Sequence, residues 1–349
     1  MNRMRPDIRT RVHRDELRDA VQSVLSQRFG TLCRVKSLRR RRSAYCSSST
    51  LENLDVELSS GRRFRLVFKD LSPRSLLSTA RQVRPPFLYR PRREIEIYRR
   101  ILHPRRFDTP LYYGAIECPE QEKYWLFLER VDGPLLWQRG RLEFWEQAAR
   151  WLARFHTEFA SCRGICDEPS VDHLLFYDER LFSTWVTRAE NFLSQKYAAR
   201  SPHLWRRFYN VTNRYDEVIK RLLQLPTTFI HGEFFPSNII LRETRRGWRI
   251  CPVDWEIAAL GPGLIDLAAL TAGNWSREVK ARLVNAYRDA LEPCNGWPPS
   301  MPELMEAVDY CHLHLSVQLL GWSSDWSPPE KHYQNWLGEA FRLAGSLGL

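Results

Sequence analysis

The stretch from Thr228 to Glu256 constrains this chain most, because it sets two polar clusters at the ends of adjoining strands. Its first half reads TFIHGEFFPSNIILRE and its second RICPVDWE. The Arg-rich turn RETRRGWR is tight enough to fold Ile239-Ile240-Leu241 back against the strand that Asp254 ends. A hairpin of that length brings Asn238 and Asp254 side by side at one rim. A carboxylate and an amide oxygen converging there suit a hard cation, Mg²⁺ above all, since Mg²⁺ takes oxygen ligands and keeps waters. Phosphoryl transfer needs such an ion across phosphate oxygens and a further carboxylate to orient the attacking hydroxyl. Glu233 is placed to be that carboxylate.

The rest of the chain sorts into strands first and helices after. HRDELRDAVQSVLSQRF carries Leu17, Val21, Val24 and Leu25 at helical spacing and stops at Gly30. CRVKSLRR is strand-like, and LENLDVELSSGRRFRLVFKD reads as a hairpin turning at Ser59-Ser60-Gly61. Residues 71 to 93 form a Pro- and Arg-rich connection, followed by the helix RREIEIYRRIL and the strands TPLYYGAI and KYWLFLERV. Asp132-Gly133-Pro134 then breaks the chain. The expected boundary divides residues 1–133 from residues 134–349. Beyond it, EFWEQAARWLARFHTEF is a strong helix with Phe144, Ala148, Trp151, Leu152 and Phe155 inward. Two or three more helices are expected over 174–225, and helices resume at Asp266. This is an α+β layout in two lobes, the second holding an embedded hairpin.

HGEFFPSNIIL followed by VDWEIAALGPGLIDLAAL resembles the aminoglycoside phosphotransferase and choline kinase-like family, which shares the protein kinase-like fold. The family pattern is H-G-D-x-x-x-x-N, a hydrophobic strand, I-D-W-E, and an Asp in the helix beyond. His231, Gly232, Asn238, Asp254, Trp255, Glu256 and Asp266-Leu267-Ala268 match it. The resemblance implies that Asn238 and Asp254 hold Mg²⁺. It also makes Glu233 the catalytic carboxylate, where the family usually has Asp. His231 and Asp266 are expected to brace the loop.

A kinase-like nucleotide site needs a strand lysine for the phosphates and a helix glutamate to fix it. Lys69 fits the first role; Leu66 and Phe68 alternate beside it, so Lys69 is expected to face inward. Glu94 fits the second, sharing a face with Tyr98 and Ile101, with Glu96 as competitor on another face. SAYCSSST stands where a glycine-rich loop would cover the phosphates, offering Ser47, Ser48 and Ser49. The hinge is read in LFLERVDG, with backbone groups of Glu129 and Val131 meeting adenine. In the last third, Trp322, Asp325 and Trp326 are candidates for an acceptor pocket. His173, Tyr177 and Asp178 are weaker ones.

Composition narrows the function. The chain has 349 residues, 43% hydrophobic and 27% charged, with a net charge of +12. Such a charge fits a solvated surface or a field for anionic substrates, and nucleic-acid binding rests on charge alone. The Arg39-Arg42 run lacks the interleaved aromatics of a single-strand groove. No apolar run of membrane length occurs and the amino terminus lacks a secretory apolar block, so a cytoplasmic protein without a membrane partner is expected. The eight cysteines, Cys162 and Cys166 included, lack zinc spacing. His312 and His314, two apart on a helix, point to different faces. The expected partners are therefore ATP, Mg²⁺ and a small hydroxylated acceptor. Protein-kinase H-R-D, D-F-G and A-P-E segments are absent, and a sugar or biosynthetic intermediate suits the positive charge better than a polycationic aminoglycoside. The alternative is a nucleotide-binding pseudokinase impaired by the longer acid at 233.

Overall fold

The computed structural model describes residues 12–43, 50–77, 85–160, 174–292, 297–322 and 335–349. The chain separates into two compact units, Met1–Asp132 and Gly133–Leu349.

The first unit is built on an antiparallel sheet. Its strands are β1 (Val35–Arg42), β2 (Thr50–Leu58), β3 (Arg63–Asp70), β4 (Tyr112–Cys118) and β5 (Lys123–Glu129), in the order β1-β2-β3-β5-β4. The helix Arg14–Phe29 buries Leu17, Val21, Val24 and Leu25 and ends at Gly30, whose φ of 65° is left-handed. Those side chains share a core with Leu54, Val56, Leu66, Phe68, Trp125 and Phe127. Leu66 and Phe68 thus point at this helix. Side chains alternate along a strand, so Lys69 belongs to the opposite face. The expected inward lysine is buried, but on the far side of the sheet from the residues that suggested it.

The sequence RREIEIYRRIL forms the short helix Pro91–Glu96, which widens into a π-helical turn over Ile97–Leu102. Such a turn shifts the side-chain faces beyond it. Arg92 and Arg99 anchor the element to Glu117 of β4.

The second unit is mainly helical. Its long elements are Leu142–Ala160, Glu179–Tyr197, Arg277–Arg288 and Met301–Trp322. β6 (Leu175–Phe176) pairs parallel to a later strand, β10 (Ala259–Pro262), which pairs antiparallel to β7 (Thr227–Ile230). The embedded hairpin expected from the sequence is β8 (Ile239–Thr244) with β9 (Gly247–Pro252). The chain leaving the first unit is bound to it, with Leu241 N–H donating to the Pro134 carbonyl at 2.9 Å. At Gly133 a Cβ would lie 2.0 Å from the Leu241 carbonyl oxygen, so only glycine fits that approach.

Helix Met301–Trp322 is buried along most of its length, histidines included. His312 Nε2 lies 3.0 Å from both Thr271 Oγ1 and the Ala268 carbonyl. His314 packs its ring against Phe182, centroids 4.6 Å apart, and Tyr215. Burial pushes the His314 pKa down to about 3. The folded state therefore holds it neutral, while the unfolded chain protonates it near 6.5. This stability is fully present above the unfolded pKa and is lost as pH falls from there toward the folded value. Between pH 7.5 and 5.5 the group should withdraw about 1.4 kcal/mol. Urea melts at both pH values should show the wild type losing that much more stability than His314→Gln.

Candidate active site

Two constellations stand out, one in each unit. In the first unit, Lys69 Nζ lies 2.7 Å from Glu94 Oε1 and 2.6 Å from Oε2. Both residues are buried. A desolvated pair of this kind is held only while both charges are present, since either alone would be an uncompensated buried ion. Glu96 is taken by other partners: Arg99 at 2.6 Å and Arg100 at 2.5 Å. The helix thus assigns its two acids to opposite tasks, and Glu94 alone meets the lysine. At the end of β5, Glu129 N–H is spent on the Leu111 carbonyl at 2.8 Å, so that group is not open to a ligand. Among the described residues, Val131 makes no backbone hydrogen bond. Ser47, Ser48 and Ser49 lie outside the described residues.

In the second unit the polar loop between β7 and β8 is fixed almost atom by atom. Asp266 is fully buried in the first turn of the helix Leu264–Leu270. One of its oxygens accepts from His231 N–H at 2.7 Å and the other from Gly232 N–H at 2.9 Å. His231 Nε2 lies 3.0 Å from the Val253 carbonyl. A carbonyl can only accept, so Nε2 carries the proton and Nδ1 receives the Glu233 N–H at 3.3 Å. Both ring nitrogens of His231 are occupied in bracing. Gly232 has a φ of +83°, and a Cβ there would lie 2.5 Å from the Ile257 carbonyl oxygen.

The following residues carry the loop onto the hairpin. The Glu233 carbonyl accepts from Phe235 N–H and from Asn238 Nδ2 at 3.0 Å. Asn238 N–H donates to the Phe235 carbonyl, and its own carbonyl takes Val253 N–H at 2.9 Å. With its NH₂ committed to Glu233, the side-chain oxygen of Asn238 is the atom left for a cation. The bond to Val253 sets Asn238 against the chain that leads to Asp254. Asp254 lies two residues beyond β9 rather than ending it, with a φ of +70°. A left-handed non-glycine residue costs energy and is held by its surroundings. The donor set, one carboxylate and one amide oxygen, fits Mg²⁺, which completes its shell with phosphate oxygens and water. Among the described residues no group of three or more His, Cys, Asp or Glu forms a metal cluster, His312 and His314 included.

Two supports of the loop, His156 and Tyr287, were not read from the sequence. His156 Nε2 lies 3.4 Å from Asp266 and its Nδ1 is 2.9 Å from the Tyr287 hydroxyl. The signal was present: His156 falls one turn after Leu152 on the inward face of its helix. Phe234 is fully buried, its ring stacked 5.7 Å from Trp151. Tyr177 is buried too. Burial pushes its phenol pKa up, and the carboxylates of Asp266 and Glu233 add to the effect, so the Glu233 charge is felt there. Asp178 instead caps a helix, accepting from Leu181 N–H at 2.8 Å. Trp322 stacks on the buried Trp185, centroids 5.5 Å apart, which makes it part of the packing. Asp325, Trp326 and His173 lie outside the described residues, as do Cys162 and Cys166.

A β-sheet unit with a buried Lys–Glu pair, followed by a helical unit with a braced polar loop, is the protein kinase-like fold. Solved structures agree. A crystal structure of an ADP-bound aminoglycoside phosphotransferase matches with a TM-score of 0.57 at 11% identity, covering 95% of this chain and 98% of that one. Plasmodium vivax ethanolamine kinase matches at 0.56 and 13%, covering 97% and 89%. The macrolide 2′-phosphotransferase of Brachybacterium faecium matches at 0.50 and 14%, covering 90% and 99%. No curated protein sequence matches this chain. The profile of the phosphotransferase enzyme family (APH) matches residues 48–302, most of the chain, and the chain belongs to that family. It is by class a phosphotransferase acting on a hydroxyl group of a small molecule.

Asp266→Asn tests the brace. An amide oxygen accepts one of the two loop N–H groups, while its NH₂ meets the other as donor against donor. Leaving a buried donor unsatisfied costs about 1–3 kcal/mol. Urea unfolding should show a loss of that size, with the overall fold retained by circular dichroism.

Proposed function

We infer that this protein is an ATP-dependent kinase of a small hydroxylated metabolite, with a sugar-like or biosynthetic intermediate as acceptor. The observation that carries the reading is the loop His231–Asn238. The N–H and carbonyl of Glu233 and the N–H groups of His231, Gly232 and Phe235 are all committed, so the one acid at its centre is presented from a fixed base. Phosphoryl transfer depends on that kind of positioning far more than on a strong base.

In this reading Lys69, held by Glu94, binds the nucleotide phosphates. Val131 supplies backbone groups for adenine. Asn238 and Asp254 would hold Mg²⁺, which when bound neutralises phosphate charge. Glu233 orients the acceptor hydroxyl for in-line attack on the γ-phosphoryl group and receives its proton. His231 takes no proton, because both its nitrogens are engaged. The ADP-bound neighbour and the ethanolamine kinase support nucleotide use and a small alcohol acceptor respectively. The net charge of +12 favours an acceptor with a neutral or anionic portion over a polycation.

Glu233→Gln is the direct test. Its side chain keeps the shape and loses the charge. ATP affinity, read by titration with Mg²⁺ present, should stay within about threefold. Turnover of any acceptor found in a metabolite screen should fall by about 10²-fold or more. Full activity in the variant would remove Glu233 from the chemistry. ATP binding by the wild type with no acceptor phosphorylated would favour the pseudokinase instead.

A further inference from the structure

Away from the site, one surface of the second unit carries charge that the kinase reading does not use. Between Glu190 and Asp216 the chain holds Lys196, Arg200, Arg206, Arg207 and Arg214 and not one acidic residue. This stretch makes the end of helix Glu179–Tyr197, a turn, and the helix Pro202–Thr212. Phe208, Val211 and Thr212 are its buried side. The other side presents His203, Arg206, Tyr209 and Asn210 to water.

Aromatic rings are placed among these cations. Tyr209 is 49% exposed, and its ring lies 5.7 Å from that of Trp205, tilted by 46°. Lys196 lies over the rings of Phe192 and Tyr197, at 5.3 and 5.2 Å. Arg207 covers Phe341 at 4.3 Å. Arg214 is taken by Glu217 and the Gly348 carbonyl. Among the described residues, Lys196, Arg200 and Arg206 form no ion pair. A protein of net charge +12 gains nothing in solubility from concentrating unpaired cations beside the exposed Tyr209 and the partly buried Trp205.

We propose that this corner seats the protein on the surface of an anionic lipid bilayer. Trp and Tyr rings have an apolar body and a polar tip, which suits them to the headgroup level. Cations on either side of them meet the negative surface potential of acidic lipids. The mutual tilt of Trp205 and Tyr209 argues against single-stranded nucleic acid, which asks for separate, open ring faces on which bases stack. The contact is peripheral: no helix among the described residues is long and apolar enough to cross a membrane. The expectation of no membrane partner rested on the lack of a span. Resting on a bilayer needs only the exposed face of a short helix.

The test is co-sedimentation of the full chain with vesicles of phosphatidylcholine, with and without phosphatidylglycerol. Binding should require phosphatidylglycerol and weaken as salt rises. Arg200→Gln with Arg206→Gln should lower partitioning roughly 25-fold, at about fivefold for each charge removed. Trp205→Ala with Tyr209→Ala should lower it at least about fivefold. Arg200, Arg206 and Tyr209 are exposed and Trp205 is partly buried, so circular dichroism and ATP affinity are measured on both double variants and should not change for the arginine pair. Equal binding to both vesicles, or to neither, overturns the proposal. So does unchanged partitioning in both double variants, or their loss of binding to a uridine homopolymer without any vesicle binding by the wild type.

Discussion

The second unit is organised around one buried carboxylate. Asp266 holds two consecutive loop amides and reaches toward His156, joining the loop, the helix Leu264–Leu270 and the helix Leu142–Ala160. A carboxylate without solvent exposure is costly unless donors surround it. Here backbone N–H groups, which cannot rotate away, supply them. The first turn of a helix adds a favourable dipole for the negative charge. The arrangement is therefore mutual: the acid is tolerated because the loop is there, and the loop keeps its shape because the acid is.

The first unit solves a similar problem with two charges. Lys69 and Glu94 are distant in sequence, on a strand and a helix, and meet only if both elements are in register. Arginine supply decides which glutamate is available. Arg99 and Arg100 follow Glu96 at one-turn spacing and hold it, while Glu94 is followed by no arginine at that spacing and meets Lys69. The π turn after Glu96 and the Arg92 and Arg99 ties to Glu117 then fix where that helix lies against the sheet.

Much of this was legible in the chain. The loop and the hairpin follow from one run of residues, because turn length dictates which ends meet. The choice of Glu94 over Glu96 came from helical spacing and agrees with the observed pairing. Lys69 was found, yet through the wrong face: Leu66 and Phe68 have the opposite parity, and strand alternation should have placed their core behind the lysine. The short strands β6 and β10 were not read, because segments of two to four residues carry no period. Nor was Asp254 seen to stand beyond its strand, since a left-handed residue leaves no trace in hydrophobic pattern. His156 and Tyr287 were missed for a different reason. Their partnership spans 131 positions and exists only after two helices pack.

These constraints bear on the longer acid at position 233. Glutamate places its carboxylate one carbon–carbon bond, about 1.5 Å, farther out than aspartate. A loop that withdrew by that distance would restore the reach of the shorter residue. The geometry leaves little freedom for it. His231 and Gly232 are pinned by Asp266, the Glu233 carbonyl by Phe235 and Asn238, and Phe234 by the aromatic stack on Trp151. Moving the backbone would break several buried bonds at once. The extra length must instead be taken up in the side chain, which has one more rotatable bond with which to fold back. That solution costs only rotamer freedom. It also makes the position of the acid depend on what packs beside it, so in the role proposed for Glu233 an acceptor that fills the site would itself complete its geometry.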